Sequence, residues 1–139
     1  MKKVLTYKGA VMTWECDSNR HMNVMYYVNK FEHAGHNTSP ELGIGDYNTD
    51  ELGVVVLEQT LNYHKELFED DLVYIESTLL DISKKAFTIL HEMYNGYTKE
   101  LSSTMKVVCV LFDKVNRRAL PFPVDKREEL LKKIRKLDQ

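Results

Sequence analysis

The stretch Trp14-Glu15-Cys16-Asp17-Ser18-Asn19-Arg20-His21-Met22-Asn23 runs straight into a helical pattern, and its reading decides the fold. From Val24 the apolar residues fall at Val24, Tyr27, Val28, Phe31 and Ala34, the spacing of one buried helical face. Asn23 stands where an N-cap belongs, because its amide oxygen can accept from first-turn N–H groups. A helix starting there presents unpaired backbone N–H groups and a partial positive charge. Asp17, His21 and Asn23 thus set a carboxylate, an imidazole and an amide just ahead of an anion-binding end. A carbonyl polarised at that end would face Asp17, which suits attack on an acyl group. Ser39-Pro40 and the glycines at 43 and 45 close the helical region.

Outward from this segment the period changes. Residues from about Val4 to Trp14 read as a first strand, with aromatic and β-branched residues along it. After the helix, Val54–Tyr63, Leu72–Leu80, Ala86–Tyr94 and Leu101–Phe112 read as four more. They are separated by Glu69-Asp70-Asp71, by Ser83-Lys84-Lys85 and by Asn95-Gly96. Asn95-Gly96 predicts a type I′ hairpin turn, with positive φ at both residues. Pro121 and Pro123 stop the last strand, and a short amphipathic helix follows with Leu130, Leu131, Ile134 and Leu137 on one face. That helix reads as a cap docked on the sheet edge or on a partner subunit. Hairpin-linked strands imply an antiparallel sheet with one face buried against the long helix, an α+β domain. No linker or repeat divides residues 1–139, so one continuous domain is expected. Its outer face or an edge strand would need covering, which predicts a homo-oligomer.

Composition narrows the classes of function. Of 139 residues, 43% are apolar and 29% charged, ordinary for a soluble domain. A net charge of −2 gives no basic surplus, which argues against nucleic-acid binding as the main role. The longest apolar run, Val107–Phe112, is too short for a membrane-spanning helix. Two cysteines, Cys16 and Cys109, and no signal-peptide pattern read as reduced thiols of a cytoplasmic protein.

The motif Asp17-x-x-Arg20-His21-x-Asn23-Val24, then Tyr27 and Phe31-Glu32, resembles the acyl-CoA thioesterases of the hot-dog fold, the 4-hydroxybenzoyl-CoA thioesterase-like family. The likeness runs over nearly the whole chain, through Leu61-Asn-Tyr63-His64-Lys-Glu-Leu67 and on to Phe112-Asp113, Arg117-Arg118 and Leu120-Pro121. It implies an antiparallel sheet wrapped around a long central helix, with a short C-terminal helix here. It also implies hydrolysis of an acyl-CoA thioester by a homodimer or homotetramer, without metal or other cofactor. Two positions depart from the family pattern. Arg20 replaces a glycine, and a positive φ there would cost on the order of 1 kcal/mol or more. Val24 replaces a second asparagine, but a backbone donor survives any side-chain change.

The chemistry assigns roles. A thiolate leaves easily, so the reaction needs an attacking oxygen and a stabilised oxyanion more than a general acid. Asp17 is the candidate for activating water or attacking directly; alone, it would read more readily as a residue capping a turn. The Val24 N–H is the candidate oxyanion donor, with Met25 as a second. His21 either orients Asp17, lines the thioester pocket or holds the loop. Asn23 reads first as a cap. On the strand after the helix, Tyr63 and His64 would line an acyl pocket across a dimer interface. Ser83, Lys84, Lys85 and Arg117-Arg118 are basic turns able to hold coenzyme A phosphates, although such turns are usually only solvated. His33 and His36 beside Glu32 invite a metal, but further ligands at a recognisable spacing are missing. Cys16 beside Asp17 would hold its proton and serve as spacer. Two rivals stay open: a dehydratase or hydratase of the same fold, and a non-catalytic module that binds acyl-CoA.

Overall fold

The structure, a computed structural model, describes residues 3–135. In chain order it contains β1 (Val4–Ala10), α1 (Val24–Glu41), β2 (Leu52–Tyr63), β3 (Leu72–Ile82), β4 (Ala86–Asn95), β5 (Leu101–Asp113), β6 (Arg118–Leu120) and α2 (Val124–Arg135). Every strand pairing is antiparallel, in the order β1-β3-β4-β5-β2. The short β6 pairs with β5 beyond the point where β4 ends. Period-two burial builds the core. Along β4, Phe87, Ile89, His91 and Met93 are buried while Thr88, Leu90 and Glu92 are half-covered. The buried row faces α1, which contributes Tyr27, Lys30, Phe31, Ala34 and Thr38. A sheet wrapped around one long helix, with a short C-terminal helix, is the α+β arrangement expected from the sequence.

Several local readings need correction. β1 stops at Ala10, well short of Trp14, because Thr13–Glu15 forms one tight helical turn. That turn carries Glu15 inward, where its carboxylate accepts from the Met12 N–H (2.8 Å) and from Lys30 Nζ (2.9 and 2.8 Å). The Glu15 and Lys30 side chains are 8% and 2% exposed. A buried pair like this resists loss of either partner by about 3–5 kcal/mol. The buried helical face therefore includes Lys30, whereas Val24 is 57% exposed because the first turn of α1 projects past the core. Pro40 does not end α1 but sits in its last turn, and the reversal falls at Gly43, whose φ is +68°.

The β4–β5 hairpin is not a two-residue type I′ turn. Asn95 Oδ1 accepts from the N–H groups of Tyr97 and Thr98, and the positive φ falls on Lys99. Glycine at 96 answers a close approach instead, since a Cβ there would lie 2.7 Å from Leu72 Cβ. The C-terminal helix docks on its own chain. Phe122 and Leu130 are buried, with Phe122 packed edge-on against Phe87 and Tyr47. Leu137, expected on the same face, lies outside the described residues.

Candidate active site

The Asp17 loop is a small hairpin. Cys16 and Met22 form an antiparallel bridge, and the Arg20 N–H donates to the Asp17 carbonyl at 2.9 Å. Asp17 suits the first position of such a turn, because its Oδ1 accepts from the Asn19 N–H at 2.8 Å. Arg20 takes the left-handed backbone with φ 63°, so the turn keeps a shape that glycine would adopt without strain. The Met22 N–H donates to the Leu67 carbonyl and the Asn23 N–H to the Glu15 carbonyl, both at 2.8 Å. The loop is thus tied to the segment after β2 and to the buried Glu15.

Asn23 links the loop to the helix. Its Oδ1 accepts from the Met25 N–H at 3.0 Å, capping α1, while its Nδ2 donates to Asp17 Oδ2 at 2.9 Å. One amide therefore caps the helix and aims the carboxylate. The Tyr26 N–H donates to the Asn23 carbonyl. The Met25 N–H, the second oxyanion donor expected from the sequence, is engaged by this cap. Val24 N–H, at the first helical position, has no acceptor within the helix and none among the described residues. It follows Asn23, whose amide holds Asp17, at the positive end of α1.

His21 lies between two carboxylates, with Nδ1 2.9 Å from Glu66 Oε1 and Nε2 3.7 Å from Asp17 Oδ1. Three effects hold the Asp17 carboxyl below its ordinary value: first the Asn23 amide, then the Asn19 N–H, with the nearby His21 adding to them. Asp17 is therefore an anion at neutral pH. Cys16 is pushed the other way, chiefly by burial and then by Glu69 and Asp17, so it keeps its proton. Tyr63 packs edge-on against Tyr27, ring centroids 5.0 Å apart, and is half-exposed beside the start of α1. Next to it His64 donates its backbone N–H to the Ser102 carbonyl. Burial raises the Tyr27 phenol above its usual range.

The structure thus brings Asp17, His21, Asn23, Val24 and Tyr63 into one neighbourhood. It does not bring Ser83, Lys84 and Lys85 there within the same chain. They form the β3–β4 turn at the opposite end of the sheet, as do Arg117 and Arg118 after β5. Ten strand residues separate the two ends, roughly 33 Å at ~3.3 Å per residue. His36 is 3.6 Å from Glu32, one turn away, while His33 lies against Tyr7. Among the described residues, no three His, Cys, Asp or Glu side chains converge as a metal site. Sequence reasoning missed Glu66 and the Glu15–Lys30 pair. Glu66 lies 45 residues from its His21 partner, and no spacing rule links them.

Six antiparallel strands curled over one long helix, with a carboxylate loop at the helix N-terminus, constitute a hot-dog fold. The model of the thioesterase-like superfamily matches residues 11–134, and the chain belongs to that superfamily. A proposed thioesterase of Pseudomonas putida KT2440 superposes with a TM-score of 0.80 at 18% identity, over 99% of this chain and 89% of that one. The SAV2348 protein of Staphylococcus aureus, solved in complex with CoA, gives 0.80 at 20% identity over 98% and 87%. Slr0204 of Synechocystis, a 1,4-dihydroxy-2-naphthoyl-CoA thioesterase, gives 0.76 at 14% identity over 97% and 98%. Comparison with curated proteins gives no significant match.

Proposed function

We propose that this protein hydrolyses an acyl-CoA thioester to a carboxylic acid and free coenzyme A. One observation carries the reading: an ionised carboxylate is held by Asn23, the residue before the unpaired Val24 N–H at a helix N-terminus. In this reading Val24 N–H polarises the thioester carbonyl, a donor worth about 3 kcal/mol in acyl transfer. Asp17 supplies the attack, either by taking a proton from water or by adding to the carbonyl carbon. The Asn23 and Asn19 donors keep Asp17 ionised for either route. His21 steadies the loop through Glu66. No metal or redox group enters the chemistry.

Residues 1–139 act as one domain in this account, within a homodimer or homotetramer. The edge strand β2 leaves Val54, Val56, Leu57 and Tyr63 more than a third exposed, an apolar edge that a second copy would cover. In this reading the partner completes the pocket at Asp17. Tyr63, His64 and the Met25 side chain would then meet the acyl group. The basic turn Ser83-Lys84-Lys85 would serve a phosphate only from a neighbouring subunit. A complex of SAV2348 with CoA supports a coenzyme A ligand. No helix among the described residues is long and apolar enough to cross a membrane; the cytoplasmic location expected from the two thiols remains part of this proposal.

Thiol release over a panel of acyl-CoAs tests this reading with the parent and Asp17→Asn. Hydrolysis by the parent and its loss in the variant are expected. Undiminished hydrolysis by the variant would remove Asp17 from the mechanism, whereas binding without turnover by the parent would favour a non-catalytic module.

A further inference from the structure

The concave face of the sheet carries a polar residue that the site above leaves unused. His91, in the middle of β4, is 1% exposed, and its Nδ1 lies 2.6 Å from Ser77 Oγ. Ser77 Oγ is 2.8 Å from Thr6 Oγ1, which in turn donates to the Ile75 carbonyl at 3.3 Å. A carbonyl only accepts, so one direction of the chain has Thr6 donating to it. With the Thr6 hydrogen spent on Ile75, Ser77 donates to Thr6 and His91 donates Nδ1–H to Ser77. Burial holds the imidazole neutral, its pKa lowered to about 4. In that direction Nε2 is a bare acceptor.

That acceptor is turned toward α1. A Cβ on Gly35 would lie 4.0 Å from Nε2, so the absence of a side chain there leaves room in front of the ring. His91 lines a cavity of about 90 Å³ together with Phe31, Val56, Ile89, Met105 and Val107. By the usual measure this holds several water-sized groups, and its walls are mostly apolar. No donor among the described residues reaches Nε2. Facing the cavity unpartnered, Nε2 has room for a donor from outside the chain.

The position of the cavity identifies the visitor. Gly35 lies eleven residues beyond Val24, ~16 Å along the helix axis. The cavity is bordered by Val54 and Val56 of β2, which are more than a third exposed. α1 packs mainly on β1 and β3, and this cavity lies on its side toward β2. Tyr63 and Val24 lie toward the N-terminal end of α1, where the thioester would bind. A single aromatic ring held at Val24 would not reach His91, whereas an extended chain would.

We propose that the cavity receives the far end of a medium-length acyl chain, and that His91 Nε2 accepts a hydrogen bond from a hydroxyl carried there. The proposal rests on the thioesterase reading of Asp17 and adds to it the substrate class, a distally hydroxylated acyl thioester. His91 is then the residue that reads the hydroxyl, with Ser77 and Thr6 fixing which nitrogen is bare.

The test compares kcat/KM for decanoyl-CoA and its terminally hydroxylated counterpart in the parent, His91→Phe and Ser77→Ala. The parent should favour the hydroxylated substrate roughly tenfold, the worth of one net hydrogen bond. Both variants should lose that preference while still hydrolysing decanoyl-CoA. Equal ratios in parent and variants would overturn the proposal and leave a bridging water as the occupant. Should His91→Phe not fold, Ser77→Ala and the nitrogen NMR shifts of His91 in the parent decide. An unprotonated Nε2 that moves on adding the hydroxylated thioether analogue supports the assignment, and a protonated Nε2 defeats it. Asp17→Asn separates the two claims, since its outcome bears on hydrolysis alone. If the parent cleaves neither substrate, calorimetry with the two thioether analogues makes the same comparison, and equal affinities would overturn the proposal.

Discussion

Asn23 makes two bonds with two different jobs, so its substitutions should separate stability from activity. Its Oδ1 caps α1 through the Met25 N–H at 3.0 Å, and its Nδ2 holds Asp17 Oδ2 at 2.9 Å. Asn23→Ala removes both. Losing the cap costs ~1 kcal/mol, or about 4 °C of Tm in a chain of this size. Asn23→Ser and Asn23→Asp keep a capping oxygen, so their Tm should fall by only ~1 °C. All three lose the amide donor to Asp17, and displacing a reacting group by ~1 Å costs about 10²-fold in rate. The expected pattern is a kcat down by one to two orders of magnitude in every variant, with Tm lowered clearly only in Asn23→Ala. The pH profile adds a signed test. The Asp17 carboxyl is held down first by this amide, so the parent's acidic limb lies below the ordinary 3.8. Removing the amide moves that limb up toward the ordinary value, and Asn23→Asp, which sets a second carboxylate beside it, moves it further. Thiol release and thermal denaturation measure both quantities. A kcat near the parent's in Asn23→Ser would refute the idea that this amide aims the carboxylate.

Three other predictions follow from the same geometry. Lys30→Met strands the Glu15 carboxylate and should cost about 3–5 kcal/mol in urea unfolding, whereas Lys30→Met with Glu15→Leu should recover most of the loss. Recovery below a third would show that the pair is not the origin of the cost. Arg20→Gly relieves a φ of 63° and should raise stability by ~0.5 kcal/mol once glycine's greater unfolded freedom is counted; a fall in Tm would contradict this. His91 is the third case. Its folded pKa of about 4 lies below the ordinary 6.5, so the unfolded chain binds the extra proton first. Stability is full above pH 6.5 and declines as the pH falls toward 4, by about 3 kcal/mol for this group. Unfolding curves in that window should show the decline in the parent and a flatter dependence in His91→Phe.

Much of this was legible from residue types and periods. Asn23 before an i, i+3, i+4 pattern located the start of α1, and period-two burial placed β2 to β5 within a few residues. The Asp17–Asn23 motif carried the superfamily membership. What stayed hidden was tertiary. Lys30 reads as a solvated helix residue until the turn at Thr13–Glu15 brings a carboxylate beneath it. His91 reads as one residue of an alternating strand, and only the fold sets Ser77 behind it and Gly35 in front. Asn95-Gly96 misled for a local reason, because the Asn95 side chain organised a longer loop. The basic turn at 83–85 stands at the other end of the sheet from Asp17, and chain order says nothing about which end of a sheet a turn occupies.

The most direct test is a crystal structure of Asp17→Asn with an uncleaved acyl-CoA. The account predicts the thioester oxygen at about 2.7–3.1 Å from Val24 N. It also predicts residue 17 within ~3.5 Å of the thioester carbon or of the water beside it. A thioester bound elsewhere, with Val24 N–H facing solvent, would contradict it.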